Sequence, residues 1–138
     1  MIRQYGVIPY RTGADGGIEI LLITSRETRR WIVPRGNPIA GLSPPRSAAQ
    51  EAYEEAGIGG AVGTDPLGLY RYDKRRPDGS TDQVEVELFP MRVAEIFDSW
   101  PEQAERERRW LPWREAADAV TETDLAALID IFARSLGG

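Results

Sequence analysis

Cysteine and histidine are both absent from the 138 residues, and lysine occurs once, at Lys74. The lack of cysteine excludes disulfides, a thiolate nucleophile and a zinc–thiolate centre. The lack of histidine removes the commonest general base and the commonest transition-metal ligand. A general base must then be Glu, Asp, Tyr or Lys74, and a metal must be held by oxygen, which suits Mg²⁺ or Mn²⁺. No apolar run approaches the length of a membrane span, and no N-terminal stretch has signal-peptide character. A cytoplasmic protein without membrane attachment is expected.

Among the cations lysine is scarce: sixteen of the seventeen basic residues are arginine. Arginine's planar fork binds phosphate oxygens bidentately. The net charge of -5 argues against stable nucleic-acid binding. Charge is uneven. Residues 1–76 hold eleven basic and eight acidic residues, and residues 77–138 hold six and fourteen. The length suits one domain, 1–138, with no linker or repeat in it. Nothing in the chain indicates an oligomeric state.

The stretch from Trp31 to Gly60 carries the chemistry. An extended apolar piece leads into a Gly/Pro-rich loop and then a helix. Ser43 is a natural N-cap, Pro44 suits the first turn, and Gly57 suits a left-handed stop. Glu51, Glu54 and Glu55 fall within roughly 100° of arc on one helix face. Ala48, Ala49, Ala52, Tyr53 and Ala56 form an apolar stripe beside them. Such a helix docks through small side chains and holds three carboxylates at the edge of the contact. A merely solvated acidic face is the alternative. Against it stand the like-charge repulsion and the preceding loop, whose Gly and Pro suit a backbone shaped around a ligand.

Elsewhere, residues 2–10 read as a strand that Pro9 makes an edge or bulged one. Residues 18–24 are a buried strand, and the two form a hairpin. Arg26, Arg29 and Arg30 crowd the turn before Trp31. Solvated turn arginines are one reading; with Arg35 following, a basic rim around the carboxylate cluster is the other. A strand is expected around Leu67–Tyr72, then a turn over 73–82 carrying Lys74 and Arg75. Val84, Val86 and Leu88 alternate with Glu85 and Glu87, as in a half-exposed strand. Trp110, Leu111 and Trp113 read as core anchors, 114–120 as a short helix, and the acidic segment 95–107 as a solvated face. Residues 123–136 form an amphipathic helix that Thr123 caps and Gly137 ends. The order of elements predicts an α+β fold, an α/β/α sandwich with a mixed central sheet between helices.

Residues 36–58 resemble the Nudix box, G-x5-E-x7-R-E-U-x-E-E-x-G-U, where U is a bulky apolar residue. Gly36, Glu51, Glu54, Glu55, Gly57 and Ile58 stand at the required spacing. Leu42 replaces the first Glu, Gln50 replaces the Arg, and Ala52 is smaller than usual. In the family that Arg orients the glutamates through an ion pair; Gln50 keeps only the capacity to hydrogen-bond. The run before the box, and Trp100-Pro101-Glu102 with Arg106-x-Arg108-Arg109-Trp110-Leu111, are similar to diphosphoinositol polyphosphate and diadenosine polyphosphate hydrolases. The resemblance implies a Nudix fold and a hydrolase that opens phosphoric anhydrides with Mg²⁺ or Mn²⁺. Glu51 and Glu55 are the implied metal ligands, with Glu54 and a backbone carbonyl near Arg35-Gly36 completing the set. The water's proton goes to a carboxylate of this cluster, or the metal supplies hydroxide; Glu85, Glu87 and Glu95 are candidates outside the helix. By position Arg3, Arg26, Arg30, Arg35, Lys74 and Arg75 are the candidates for the phosphates. ADP-ribose or oxidised nucleoside triphosphates remain alternative substrates. A domain that binds a nucleotide or polyphosphate without hydrolysing it is the alternative of another class.

Overall fold

The computed structural model describes all 138 residues. One mixed sheet is built from β1 (Ile2–Thr12), β2 (Ile18–Thr24), β3 (Trp31–Ile32), β4 (Arg35–Gly36), β5 (Ile58–Val62), β6 (Gly68–Arg75), β7 (Thr81–Ile96) and β8 (Arg108–Pro112). The helices are α1 (Pro44–Ala56), α2 (Trp113–Ala119) and α3 (Thr123–Ser135). The central path runs β3-β2-β1-β7-β5, with β4 on β1, β6 on β7 and β8 on β2. β1 and β7 are parallel and every other pair is antiparallel.

Alternation along the central strands divides the core in two. Val7, Leu21, Ile23, Phe89 and Met91 face α1 and meet its Ala48, Ala52 and Ala56. Ile8, Ile20, Leu22, Val84, Val86 and Leu88 face the other way, onto Ala116 of α2 and Leu125, Ile129 and Phe132 of α3. The expected α/β/α sandwich is therefore present. The three alanines of α1 are fully buried, and their small side chains bring the helix backbone close to the sheet.

Several local expectations need correction. Pro9 lies in an interior strand, not at an edge. On the β7 side it pairs with Met91; on the other side the neighbour changes from β4, at Tyr5 and Gly6, to β2, at Tyr10. Pro9 sits in that changeover, where no ladder bond is required of it. Residues 58–62 are a strand of their own, which glycine's weak β propensity concealed. It is bulged at Gly59/Gly60. A Cβ on Gly60 would stand 2.0 Å from the Arg92 carbonyl oxygen, so the close strand approach requires glycine there. Trp110 and Leu111 lie in strand β8 and, though half-buried, pack against the core, Trp110 on the α1 side and Leu111 on the α2–α3 side; Trp113 is buried. In α3 the capping position falls on Glu122, and Thr123 is the first helical residue.

Candidate active site

The loop between β4 and α1 and the last two turns of α1 form the site. Ser43 occupies the capping position of α1, but its side chain makes no cap bond. Pro44 and Pro45 remove the first two N–H donors of the helix, which leaves only the Arg46 N–H for a serine cap to meet. Buried Ser47 ties the loop down instead, accepting from the Ile39 N–H at 2.7 Å. At the other end Gly57 takes the left-handed conformation, φ 65°, and its N–H reaches the Tyr53 carbonyl.

The carbonyls of that last turn are satisfied by the segment from Phe97 to Arg108. Glu102 N–H donates to Glu54 O at 3.0 Å, and Phe97 N–H to Gly57 O at 2.8 Å. Trp100 Nε1 donates to Glu55 O at 3.1 Å, and Arg108 Nη1 to Ala56 O at 2.9 Å. A guanidinium at a helix C-terminus also complements the helix dipole. Arg108 stacks on the Trp100 ring at 3.9 Å, and both lie against Gly57. We therefore expect Gly57→Ala to destabilise the protein. Left-handed backbone costs an L residue roughly 1–2 kcal/mol, and the new methyl must also displace the Trp100 ring. A thermal melt of the purified variant checks this.

The three box glutamates lie side by side, each held differently. Glu51 is half-buried, and its carboxylate lies directly over Gly36, where a Cβ would stand 2.3 Å from Cδ. Burial, and then the charges of Glu54 and Glu102, push its pKa up. Glu54 accepts from Gln50 Nε2 at 3.2 Å, so the Gln does supply a neutral hydrogen bond where the box has Arg. Glu55 is buried. Its Oε1 accepts from the Arg35 backbone N–H at 3.1 Å, and its Oε2 lies 3.6 Å from Arg106. Burial pushes its pKa up to about 8 despite Arg106 and the Arg35 N–H, which favour the charged form. As placed, no three acidic side chains converge closely enough to hold a metal ion. All the donors are oxygens, and two of them, Glu51 and Glu55, are drawn out of water, which suits a hard divalent cation. Residues 51, 54 and 55 share one helix face.

Not all of the candidate basic residues gather here. Arg3 lies two residues before Tyr5, the partner of Gly36, and bonds Glu85 at 2.7 Å. Arg26 reaches Glu105 at 3.4 Å, and Arg30 Nε donates to Thr28 at 3.2 Å. That turn lies beside the 105–107 segment, through Arg29 to the Glu105 carbonyl. Arg35 turns its guanidinium inward, donating to Tyr70 Oη at 3.1 Å and stacking on Tyr72 at 3.8 Å. Lys74 and Arg75 pair with Asp82 and Thr81, beyond the first β1–β7 pair at Ile2 and Val84. Glu85 and Glu87 are engaged by Arg3, and Glu95 lies on the exposed end of β7.

Two residues outside the earlier candidates stand beside the glutamates: Arg106 and Glu102. Arg106 Nε bonds Glu102 Oε1 at 2.9 Å. The signal for them was the Trp-Pro-Glu and Arg-x-Arg-Arg-Trp pattern. Read for charge alone, 95–107 looks solvated; in the fold it closes the end of α1.

Comparison with known proteins places the arrangement. The NUDIX domain family matches residues 3–131. The chain belongs to the Nudix hydrolase family. Relatives include Nudix hydrolase 21, chloroplastic, from Arabidopsis thaliana, 30% identical over 130 residues, covering 92% of this chain and 64% of that protein. Nudix hydrolase 18, mitochondrial, from the same plant is 33% identical over 137 residues, covering 95% of this chain and 76% of that one. Mouse diphosphoinositol polyphosphate phosphohydrolase 3-alpha is 32% identical over 101 residues, covering 71% and 57%. The chain thus spans less than two thirds of the first and last of these relatives. A Caenorhabditis elegans Ap4A hydrolase binary complex shares the fold, with a TM-score of 0.73 at 22% identity over 100% of this chain and 99% of that one. No helix of this Nudix chain is long and apolar enough to cross a membrane.

Proposed function

We propose that this Nudix hydrolase is a metal-dependent pyrophosphohydrolase acting on dinucleoside polyphosphates or diphosphoinositol polyphosphates. The observation that carries the reading is the oxygen-only carboxylate row on α1. Glu51 lies against Gly36, and Glu55 is held by the Arg35 N–H. The mouse relative's name and the Ap4A hydrolase likeness support the substrate class.

Glu51, Glu54, Glu55 and the Gly36 carbonyl would hold Mg²⁺ or Mn²⁺. The ion supplies charge neutralisation on phosphoryl oxygens and a lowered pKa for water. Water oxygen attacks phosphorus, the bridging P–O bond breaks, and the bond's electron pair leaves with the departing phosphate. In this reading Glu102, fixed by Arg106 at the edge of the row, would take the water's proton. Arg3, Arg26 and Arg30 would steady the polyphosphate, exchanging their present surface partners for its oxygens, and Lys74 and Arg75 would meet its far end. Arg35 contributes its backbone N–H, since its guanidinium is committed to Tyr70 and Tyr72.

A hydrolysis screen with Mg²⁺ and Mn²⁺ tests the reading. The panel holds diadenosine polyphosphates, a diphosphoinositol polyphosphate, ADP-ribose and nucleoside triphosphates, with products separated. Metal-dependent cleavage of the first two classes, well above the others, is expected. Preferential ADP-ribose or triphosphate cleavage would move the substrate assignment. Tight binding without turnover at saturating Mn²⁺ would make the chain a binding domain.

A further inference from the structure

Resting on that reading, we propose that Arg106 is a positioning residue which supplies, from outside the box, the orienting cation that Gln50 cannot. Its side chain is only 7% exposed, the least of any arginine in an ion pair here. It reaches in three directions: Nε to Glu102 Oε1 at 2.9 Å, Nη1 to the Thr24 carbonyl at 3.0 Å, and Nη2 to 3.6 Å from Glu55 Oε2. The Thr24 end is itself braced, because Thr24 N–H donates to Glu107 O at 3.0 Å and Glu107 N–H to Thr24 Oγ1 at 2.9 Å.

The strength of these contacts differs, and the difference matters. Arg106 is hydrogen-bonded to Thr24 and Glu102, whereas Glu55 is near enough for charge attraction only. The guanidinium therefore keeps its place whether or not Glu55 turns toward an ion. It acts as a fixed positive wall behind one ligand and a tether for a neighbouring carboxylate. Gln50 cannot do this. It is exposed, neutral and bonded to Glu54. Gln50 also lines one shallow surface depression with Leu42, so the two charges missing from the box are missing side by side. Of the arginines in ion pairs, Arg106 is the one that reaches both a box glutamate and Glu102. Lysine could keep the charge of Arg106 but not its planar fork to Glu102 and Thr24.

The experiment measures Mn²⁺ binding to the full chain, without substrate, by the electron paramagnetic resonance signal of free manganese. The parent, Arg106→Gln and Arg106→Lys are compared, with a thermal melt and kcat and KM on the best substrate alongside. Residues that orient metal ligands from behind are worth about 10–100-fold in metal affinity or activity, so Mn²⁺ affinity and kcat of Arg106→Gln should fall within that range. KM should stay nearly constant. Arg106→Lys should fold like the parent and recover part of the Mn²⁺ affinity. Should Arg106→Gln fail to fold, Arg106→Lys decides alone: kcat below the parent's at an unchanged melting temperature supports the proposal. Parent-like Mn²⁺ affinity and kcat in a folded variant overturns it, as does tighter Mn²⁺ binding, which would mean that Arg106 merely competes with the ion. A parent chain that binds no Mn²⁺ would instead overturn the metal-dependent reading itself.

Discussion

Glu55→Gln is expected to lower turnover by about a thousandfold, some 4 kcal/mol of barrier, while the melting temperature holds or rises. The two effects have one origin. Glu55 is buried, and burial pushes its pKa up to about 8, so its charged form is poorly solvated in the absence of a cation. Glutamine has the same shape without the charge. Its carbonyl oxygen still accepts the Arg35 N–H that now sits 3.1 Å from Oε1. What it loses is the ability to donate a full negative charge to a divalent ion, and that loss falls on catalysis. Steady-state hydrolysis in saturating Mn²⁺, paired with a melt, separates the outcomes. A metal-dependent rate equal to the parent's would remove Glu55 from the site.

Gly36→Ala should divide activity from stability just as sharply. The added methyl would stand 2.3 Å from Glu51 Cδ and 2.5 and 2.6 Å from its oxygens. These atoms are the far end of a flexible, half-buried side chain, so the carboxylate swings away and the backbone stays. Gly36 is not in the left-handed region, which spares the variant backbone strain. Stability should change by less than about 1 kcal/mol. Activity should drop about 100-fold, because a displaced ligand no longer meets the ion at the required geometry. An active Gly36→Ala protein would mean that Glu51 does not act from its present position. A variant that fails to fold would mean that the loop, not the side chain, had moved.

The basic candidates are held more loosely than the glutamates of α1. Arg3, Arg26 and Arg30 already have partners, yet those partners are exposed surface contacts that contribute little and exchange readily. A polyphosphate carries enough charge to draw them away. Arg35 differs, because its stacking on Tyr72 and bond to Tyr70 are sheltered and hold the loop that presents Gly36.

The local sequence specified α1 and the carboxylate row it carries. Proline at its start, glycine at its end and an alanine stripe beside three glutamates are short-range signals, and each depends only on neighbours a turn away. The alternation of β7, the β1–β2 hairpin and the amphipathic face of α3 were legible for the same reason. Tertiary structure decided what no local period encodes. It put Pro9 at a change of strand partner and made Gly59-Gly60 a bulged strand. It laid the acidic 97–108 segment across the end of α1. Arg106 and Glu102 join the site only there, because a helix's last carbonyls must find donors, and the chain supplied them from about fifty residues away. Charge read along a chain cannot reveal which carboxylates will share one arginine; that depends on which ends the fold brings together.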